Sequence, residues 1–409
     1  MSRSLRLGLV YCMLIFGMAM AADAPSTEAV DLTRRSLVFD GHNDLPWRVR
    51  KEFQGDWRRC DLAQPQVKLQ TDIPRLRAGA LGAVFWSAYV PADTDLAGTA
   101  LRDTLEQIDL IHQMIARWPE TFELALSADD VERIRASGKI ASLIGIEGGH
   151  SIQNSIGALR QLHRLGARYM TLTHSDTLSW ADAATDEPRS GGLSEFGEDV
   201  VREMNRLGML VDISHVSVDT MRDALRVSTA PVIASHSSAR AVADHPRNVP
   251  DDVLRLIAKR DGVVMVNFFS GFVVPESAAL RKDMFEVRRK LRAELADRAK
   301  ADAAYDRWLD EHPIVRGTIK NVVDHIDHIV KVAGIDHVGL GSDFDGVAMT
   351  PVGLEDVSSF PNITQELLNR GYSAEQIQKI LGLNTLRVLR RAGEVAAREA
   401  TSHAKPKGE

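Results

Sequence analysis

"SLVFDGHNDLPW", residues 36–47, sets how the rest of the chain is read. Leu37, Val38 and Phe39 make the apolar run of a buried strand, and the chain then turns polar, with Asp40, His42 and Asp44 close together. Seven further runs repeat the β-rich pattern: "GAVFWSAYV" (82–90), "ASLIGIEG" (141–148), "ARYMTLTHS" (167–175), "GMLVDISHVS" (208–217), "APVIASHSS" (230–238), "GVVMVNFF" (262–269) and "HVGLGSDFDG" (337–346). Helical patterns lie between them. "LRDTLEQIDLIHQMIARW" sets Leu105, Ile108, Ile111 and Ile115 at helical spacing. "SIGALRQLHRLG" and "FGEDVVREMNRLG" each close on Gly, the usual residue after a helix. Strands alternating with helices give βα units and a parallel sheet, and eight units predict a closed (β/α)8 TIM-type barrel. An open doubly wound sheet competes, but no G-x-G-x-x-G loop follows the first strand.

The 409 residues are 44% hydrophobic and 26% charged, a globular composition, and the net charge of −6 offers no basic field to nucleic acid or anionic membranes. Residues 1–21 read as a cleaved secretory signal: Arg3 and Arg6, an apolar run, then small residues around Ala19-Met20-Ala21. Tyr11 before Cys12 argues against a lipoprotein signal. A periplasmic or secreted protein without a stable membrane anchor is expected, with residues 22–409 as one catalytic domain. Its remaining cysteine, Cys60, can form no intrachain disulfide. Segment 276–312 is charged and helix-prone, an excursion between the last two strands that reads as a solvated helical hairpin, a lid or a subunit contact.

In a barrel of this kind the C-terminal strand ends share one face, where chemistry is done. His42 and Asp44 follow the first run, Glu147 ends the third, and His174, His215 and His236 end the fourth, fifth and sixth; Asp343 ends the eighth. His42 and Asp44, two apart on extended backbone, point the same way. Imidazoles and carboxylates are zinc ligands. Glu147, with two oxygens, could bridge two ions, one held with His42 and Asp44, the other with His215 and His236. Such a centre generates hydroxide near neutral pH and polarises a carbonyl. A single histidine in such a place is by default a structural residue; four at matching strand ends change that reading. Asp40 is read as a turn or supporting residue. Asp343 and Asp345 should share a face, with Asp343 the proton carrier and Asp345 a brace. Arg247, after the sixth strand, could grip a substrate carboxylate in bidentate fashion.

"DGHNDLPW", "SLIGIEGGHSI", "YMTLTHSDTLSWAD", "GMLVDISHVS", "SHSSARAVADHPRNVPDDVLRLI" and "HVGLGSDFDGV" together resemble the membrane (renal) dipeptidase family, peptidase family M19 of the amidohydrolase superfamily. The likeness runs from about residue 32 to 393. It implies a dipeptidase with two Zn2+ ions per subunit, His42, Asp44 and Glu147 holding one, and Glu147, His215 and His236 the other. It gives His174 the tetrahedral intermediate, Arg247 the substrate's terminal carboxylate, and Asp343 the proton. The resemblance also implies small dipeptide substrates, tolerance of a C-terminal D-residue, β-lactam opening in some members, and a homodimer. Ala92 and Asp176 stand where mammalian members carry a disulfide, and "NFFSGF" has Phe where they often have Tyr. The polar C-terminus lacks the tail that a GPI anchor needs. Two readings compete: a binuclear-metal hydrolase of N-acyl amino acids, lactones or phosphotriesters, and a non-catalytic peptide-binding protein.

Overall fold

The apolar runs become strands buried along almost their whole length, because helices cover them outside and side chains fill the space they enclose. The structure, a computed structural model, describes residues 24–404 apart from residue 296. The expected signal segment, 1–21, lies outside the described residues. The strands are β1 (Val38–Asn43), β2 (Leu81–Tyr89), β3 (Phe122–Leu124), β4 (Ile140–Glu147), β5 (Ala167–Thr171), β6 (Leu210–Asp212), β7 (Ile233–Ala234), β8 (Val263–Val266) and β9 (Val338–Leu340). All pairings between them are parallel, in the order β2-β1-β9-β8-β7-β6-β5-β4-β3, and β2 also pairs with β4. That last pairing closes eight strands into a (β/α)8 barrel. β3 is a ninth strand the sequence pattern did not reveal. It pairs with the first residues of β4 (Phe122↔Ile140, Leu124↔Ser142), and β5 takes the later ones from Ile144 onward.

Alternation inside the barrel explains both its stability and its chemistry. Ala83 and Phe85 of β2, Ala141 and Leu143 of β4, Tyr169 of β5, Leu210, Ile233, Val263 and Met265 form one apolar cluster. Leu386, Val388, Leu389 and Ala392 of the helix Asn384–Ala404 join it, plugging the barrel. Two residues further along the same strands come Ser87, Asp212, Ser235 and Asn267, and four beyond Leu143 comes Glu147. The period of two thus carries the inward-facing set from hydrocarbon to polar groups at the C-terminal mouth. A larger apolar cluster lies between the strands and the outer helices.

Most local expectations hold. Gly208, left-handed at φ 71°, ends the helix Glu195–Leu207, and Gly166, at φ 109°, lies just past Ile156–Arg164. The helix Ala100–Arg117 is turned from the expected face: Thr104, Gln107, Ile108, Ile111 and Met114 are buried, whereas Leu105 is 39% exposed. Segment 276–312 is three helices, Pro275–Arg281, Met284–Glu294 and Arg298–Glu311, the last two packed against each other as the expected hairpin and the first an addition to it. It is not simply solvated. Arg281 is buried with its guanidinium on the His312 and Leu309 carbonyls, and Arg289 reaches the Ser175 and Thr185 carbonyls.

Candidate metal centre

Glu147, last residue of β4, stands at the middle of the barrel mouth. Its Oε2 lies 3.5 Å from His42 Nε2. Its Oε1 faces a different set: His215 Nε2 at 3.1 Å, His236 Nε2 at 3.5 Å and His174 Nε2 at 3.6 Å. Asp44 Oδ2 lies 3.1 Å from His42 Nε2. The sequence-predicted ligands therefore converge on one carboxylate whose two oxygens point to two groups. His42, Asp44 and Asp343 also offer atoms within 4.8 Å of one another.

Each ligand is held by local structure. Asp44 sits at the N-cap position of the helix Leu45–Phe53, yet its carboxylate makes no capping bond and is free to turn to His42. His42 Nδ1 meets the Tyr169 hydroxyl at 2.7 Å. Tyr169 reaches that far because Gly145 opposite has no Cβ; one there would fall 2.1 Å from the tyrosine ring. His236 Nδ1 lies 2.7 Å from Ser235 Oγ, which donates to Asp212 Oδ2 at 2.6 Å. With its proton committed to Asp212, Ser235 Oγ must accept from His236 Nδ1–H, leaving the Nε2 lone pair toward Glu147. Asp212 also accepts from Thr171 Oγ1 and from the Ser214 and Ser235 amides. His215 and Asp343 are non-glycine residues at φ 68° and 63°, a left-handed backbone that costs free energy and often marks functional sites. The Ala184 amide donates to the His215 carbonyl, and the Asp343 amide to the His42 carbonyl.

Charge in the pocket is set by burial and mutual contact. Burial favours neutral Glu147, but the imidazoles around it, His42 first and then His215 and His236, outweigh it and hold the carboxyl well below its usual range. Burial lifts Asp343 well above the carboxylate range, and Asp44 and Glu147 add to the rise. Burial lowers His174 to about 3, so this imidazole is neutral. Burial brings Arg247 down to about 10, leaving it charged at neutral pH.

The donor set fits divalent cations. Three buried carboxylates, Asp44, Glu147 and Asp343, crowd one another, and imidazole nitrogens face them, that of His236 with its lone pair oriented by Ser235. Asp44 Oδ1 is buried with no hydrogen-bond partner. His42, Asp44, Glu147, His215 and His236 could hold such ions.

Arg247 is not the surface residue it would be by default. Only 1% exposed, it touches Ser237 Oγ and the His236 carbonyl at 3.4 Å each, and its Nε is buried without a partner. Phe272 lies 5.4 Å beneath the guanidinium. Asp40 belongs to β1 rather than a turn: its carboxylate accepts from the Ser342 amide and hydroxyl and ties β1 to the end of β9. The expected common face of Asp343 and Asp345 is absent. Both are left-handed, so the chain there is not extended; Asp345 Oδ1 accepts from the Gln70 amide while its own amide donates to Gln70 Oε1. Asn267 was missed by sequence reasoning. Its Nδ2 donates to Asp343 Oδ2 at 2.7 Å. Tyr169, Ser87, Asp212 and Ser235 were missed as well; the available signal was a polar residue at an inward position of an apolar run.

A closed (β/α)8 barrel with histidines and carboxylates gathered at its C-terminal mouth has the layout of a metal-dependent hydrolase. The membrane dipeptidase model, peptidase family M19, matches residues 26–403, and the chain belongs to that family as one of its dipeptidases. Dipeptidase tcpJ of Claviceps purpurea (strain 20.1) is 42% identical over 380 residues, covering 90% of this chain and 80% of that protein. Among solved structures, the probable dipeptidase PvdM from Pseudomonas aeruginosa has a TM-score of 0.77 at 27% identity, covering 90% of this chain and 98% of that one. A metallopeptidase from Rhodobacter sphaeroides, liganded with a phosphinate mimic of the dipeptide L-Ala-D-Ala, has a TM-score of 0.72 at 25% identity over 87% of this chain and 99% of its own.

Proposed function

We propose that this chain is an exported zinc dipeptidase that hydrolyses the peptide bond of free dipeptides, including those with a C-terminal D-residue. The observation that carries the reading is the division of Glu147, one oxygen toward His42 and the other toward His215 and His236. His42, Asp44 and Glu147 would hold one zinc ion and Glu147, His215 and His236 a second. Bound there, the ions supply an acidified water and polarise the scissile carbonyl.

The remaining chemistry belongs to the chain. Arg247 has donor capacity to spare, since its contacts to Ser237 and His236 are long, and it receives the substrate's terminal carboxylate. That fixes the scissile bond one residue away and explains a preference for dipeptides. His174 is neutral, so it can donate a hydrogen bond to the developing oxyanion; one such donor is worth roughly 3–4 kcal/mol of barrier. Asp343, oriented by Asn267, takes up a proton and delivers it to the departing amine. The dipeptide mimic bound by the Rhodobacter sphaeroides relative supports the D-residue, and the pattern of residues 1–21 supports export.

The test is turnover of L-Ala-L-Ala, L-Ala-D-Ala, N-acetyl-L-Ala and a simple lactone, with and without chelator. Chelator-sensitive hydrolysis of the two dipeptides above the other substrates is expected. Faster hydrolysis of the N-acyl compound or lactone, or dipeptide turnover that chelator leaves intact, overturns the reading.

A further inference from the structure

The helix Met284–Glu294 carries arginines at 288, 289 and 292, and two of them are occupied in docking it over the barrel mouth. Arg289 donates to the Ser175 and Thr185 carbonyls and pairs with Asp176 at 3.8 Å and Asp186 at 3.4 Å. Ser175 directly follows His174. Arg292 pairs with Asp93, the first residue of the short helix Asp93–Leu96 that follows β2, at 3.7 Å, and with Asp302 at 3.4 Å. The helix Met284–Glu294 is thus pinned to the segments that follow β2 and β5, on the side of the mouth where His174 lies.

Arg288 differs. Its guanidinium packs 5.6 Å over the Tyr305 ring, and its Nε is buried with no hydrogen-bond partner. Asp93 and Asp302 are near enough to favour its charge. It stands within electrostatic reach of Tyr89, the last residue of β2, and of His174, whose rings are 4.8 Å apart. His174 feels Arg247 as well. Two cationic side chains, Arg247 buried and Arg288 half-buried, therefore stand near one neutral imidazole, while a simple dipeptide has a single carboxylate. A planar donor fork with an unused, desolvated N–H is suited to a carboxylate.

We infer that Arg288 is a specificity-determining residue that receives a second substrate anion, the side-chain carboxylate of an acidic dipeptide whose terminal carboxylate is held by Arg247. This rests on the dipeptidase reading and deepens it: acidic dipeptides are the preferred substrate class.

The experiment compares kcat/KM for Ala-Glu against Ala-Gln and for Glu-Ala against Gln-Ala, near-isosteric pairs that differ in one charge and separate the two halves of the substrate. Wild type is expected to favour the acid roughly 10- to 100-fold in one pair. R288Q brings that ratio to within about threefold of unity, whatever the absolute rates, and R288K keeps most of it. K290Q, at an exposed position paired with Glu286 on the same helix, keeps the ratio. No acid preference in either pair, a preference that survives R288Q, or one lost equally in K290Q overturns the proposal. If wild type turns over none of the four peptides, it is the dipeptidase reading that fails. Calorimetric dissociation constants for the same pairs then decide the role of Arg288 by the same ratio.

Discussion

Asp212→Asn changes one atom of a residue that touches none of the candidate ligands, yet the structure makes it a severe perturbation of the metal centre. Asp212 Oδ2 accepts from Thr171 Oγ1 and Ser235 Oγ, and Oδ1 from the Ser214 and Ser235 amides. An amide keeps the Oδ1 bonds but puts an N–H donor where two hydroxyls donate. The Ser235 hydroxyl, turned away, then points its proton at His236 Nδ1, 2.7 Å off. That selects the tautomer with hydrogen on Nε2, the atom facing Glu147, and the imidazole can no longer ligate without losing that proton. Loss of such an orienting partner typically costs 10- to 100-fold in metal affinity, about 1.4–2.8 kcal/mol. The assay is zinc affinity by competition with a chromophoric chelator, with thermal unfolding as the control for fold. Ser235→Ala should weaken binding through the same chain, so the double variant should fall well short of the sum of the singles. A folded D212N chain with unchanged zinc affinity, or additive effects in the double variant, would refute the reasoning.

Arg247→Ala should lower kcat/KM for dipeptides by roughly 100-fold or more, since it removes a charge-assisted contact and leaves the substrate carboxylate unpaired. C-terminally amidated dipeptides should be poor substrates of wild type and lose little further in the variant; equal losses on both would contradict the carboxylate role. His325 is buried as a neutral ring, Nδ1 accepting from the Ala239 amide and Nε2 donating to the Val273 carbonyl. Burial lowers its pKa from 6.5 to about 4, so the unfolded chain binds the proton first. Stability should therefore fall as pH drops through 6.5, by on the order of 3 kcal/mol by pH 4. Asp40, pushed up by burial to about 6, acts in the opposite sense, favouring the fold at low pH and losing that contribution as pH rises through 6. Denaturant melts of wild type and His325→Gln isolate the histidine, and an acid limb of equal slope in both would count against it. Gly341→Ala would set a Cβ 1.9 Å from the Ser235 carbonyl oxygen, a backbone atom that cannot swing aside. It should destabilise the fold by about 1–3 kcal/mol and weaken metal binding, and an unchanged melting temperature would argue against that close approach.

The barrel was legible because its strands are long apolar runs and its chemistry lies where they stop. Glu147 and His236 could be placed by counting strand ends, with no knowledge of which strands neighbour each other. β3 escaped because it is three residues long and only Phe122 of them is fully buried, so it leaves no run. The turned face of Ala100–Arg117 has a related cause: buried Thr104 and Gln107 interrupt the apolar stripe while exposed Leu105 imitates it. Asp343 and Asp345 misled because spacing of two means a shared face only on extended chain, and φ values of 63° and 67° are not encoded in the letters alone. The charged segment hid most. Interleaved Arg, Lys, Glu and Asp read as solvated, whereas partners more than a hundred residues away, Ser175 and Thr185 among them, draw Arg289 onto the barrel mouth.

Anomalous diffraction at the zinc absorption edge from crystals of the purified chain tests the central claim most directly. The account predicts two peaks flanking the Glu147 carboxylate, one contacted by His42 and Asp44, the other by His215 and His236. A single peak, peaks elsewhere, or none after zinc loading would contradict it.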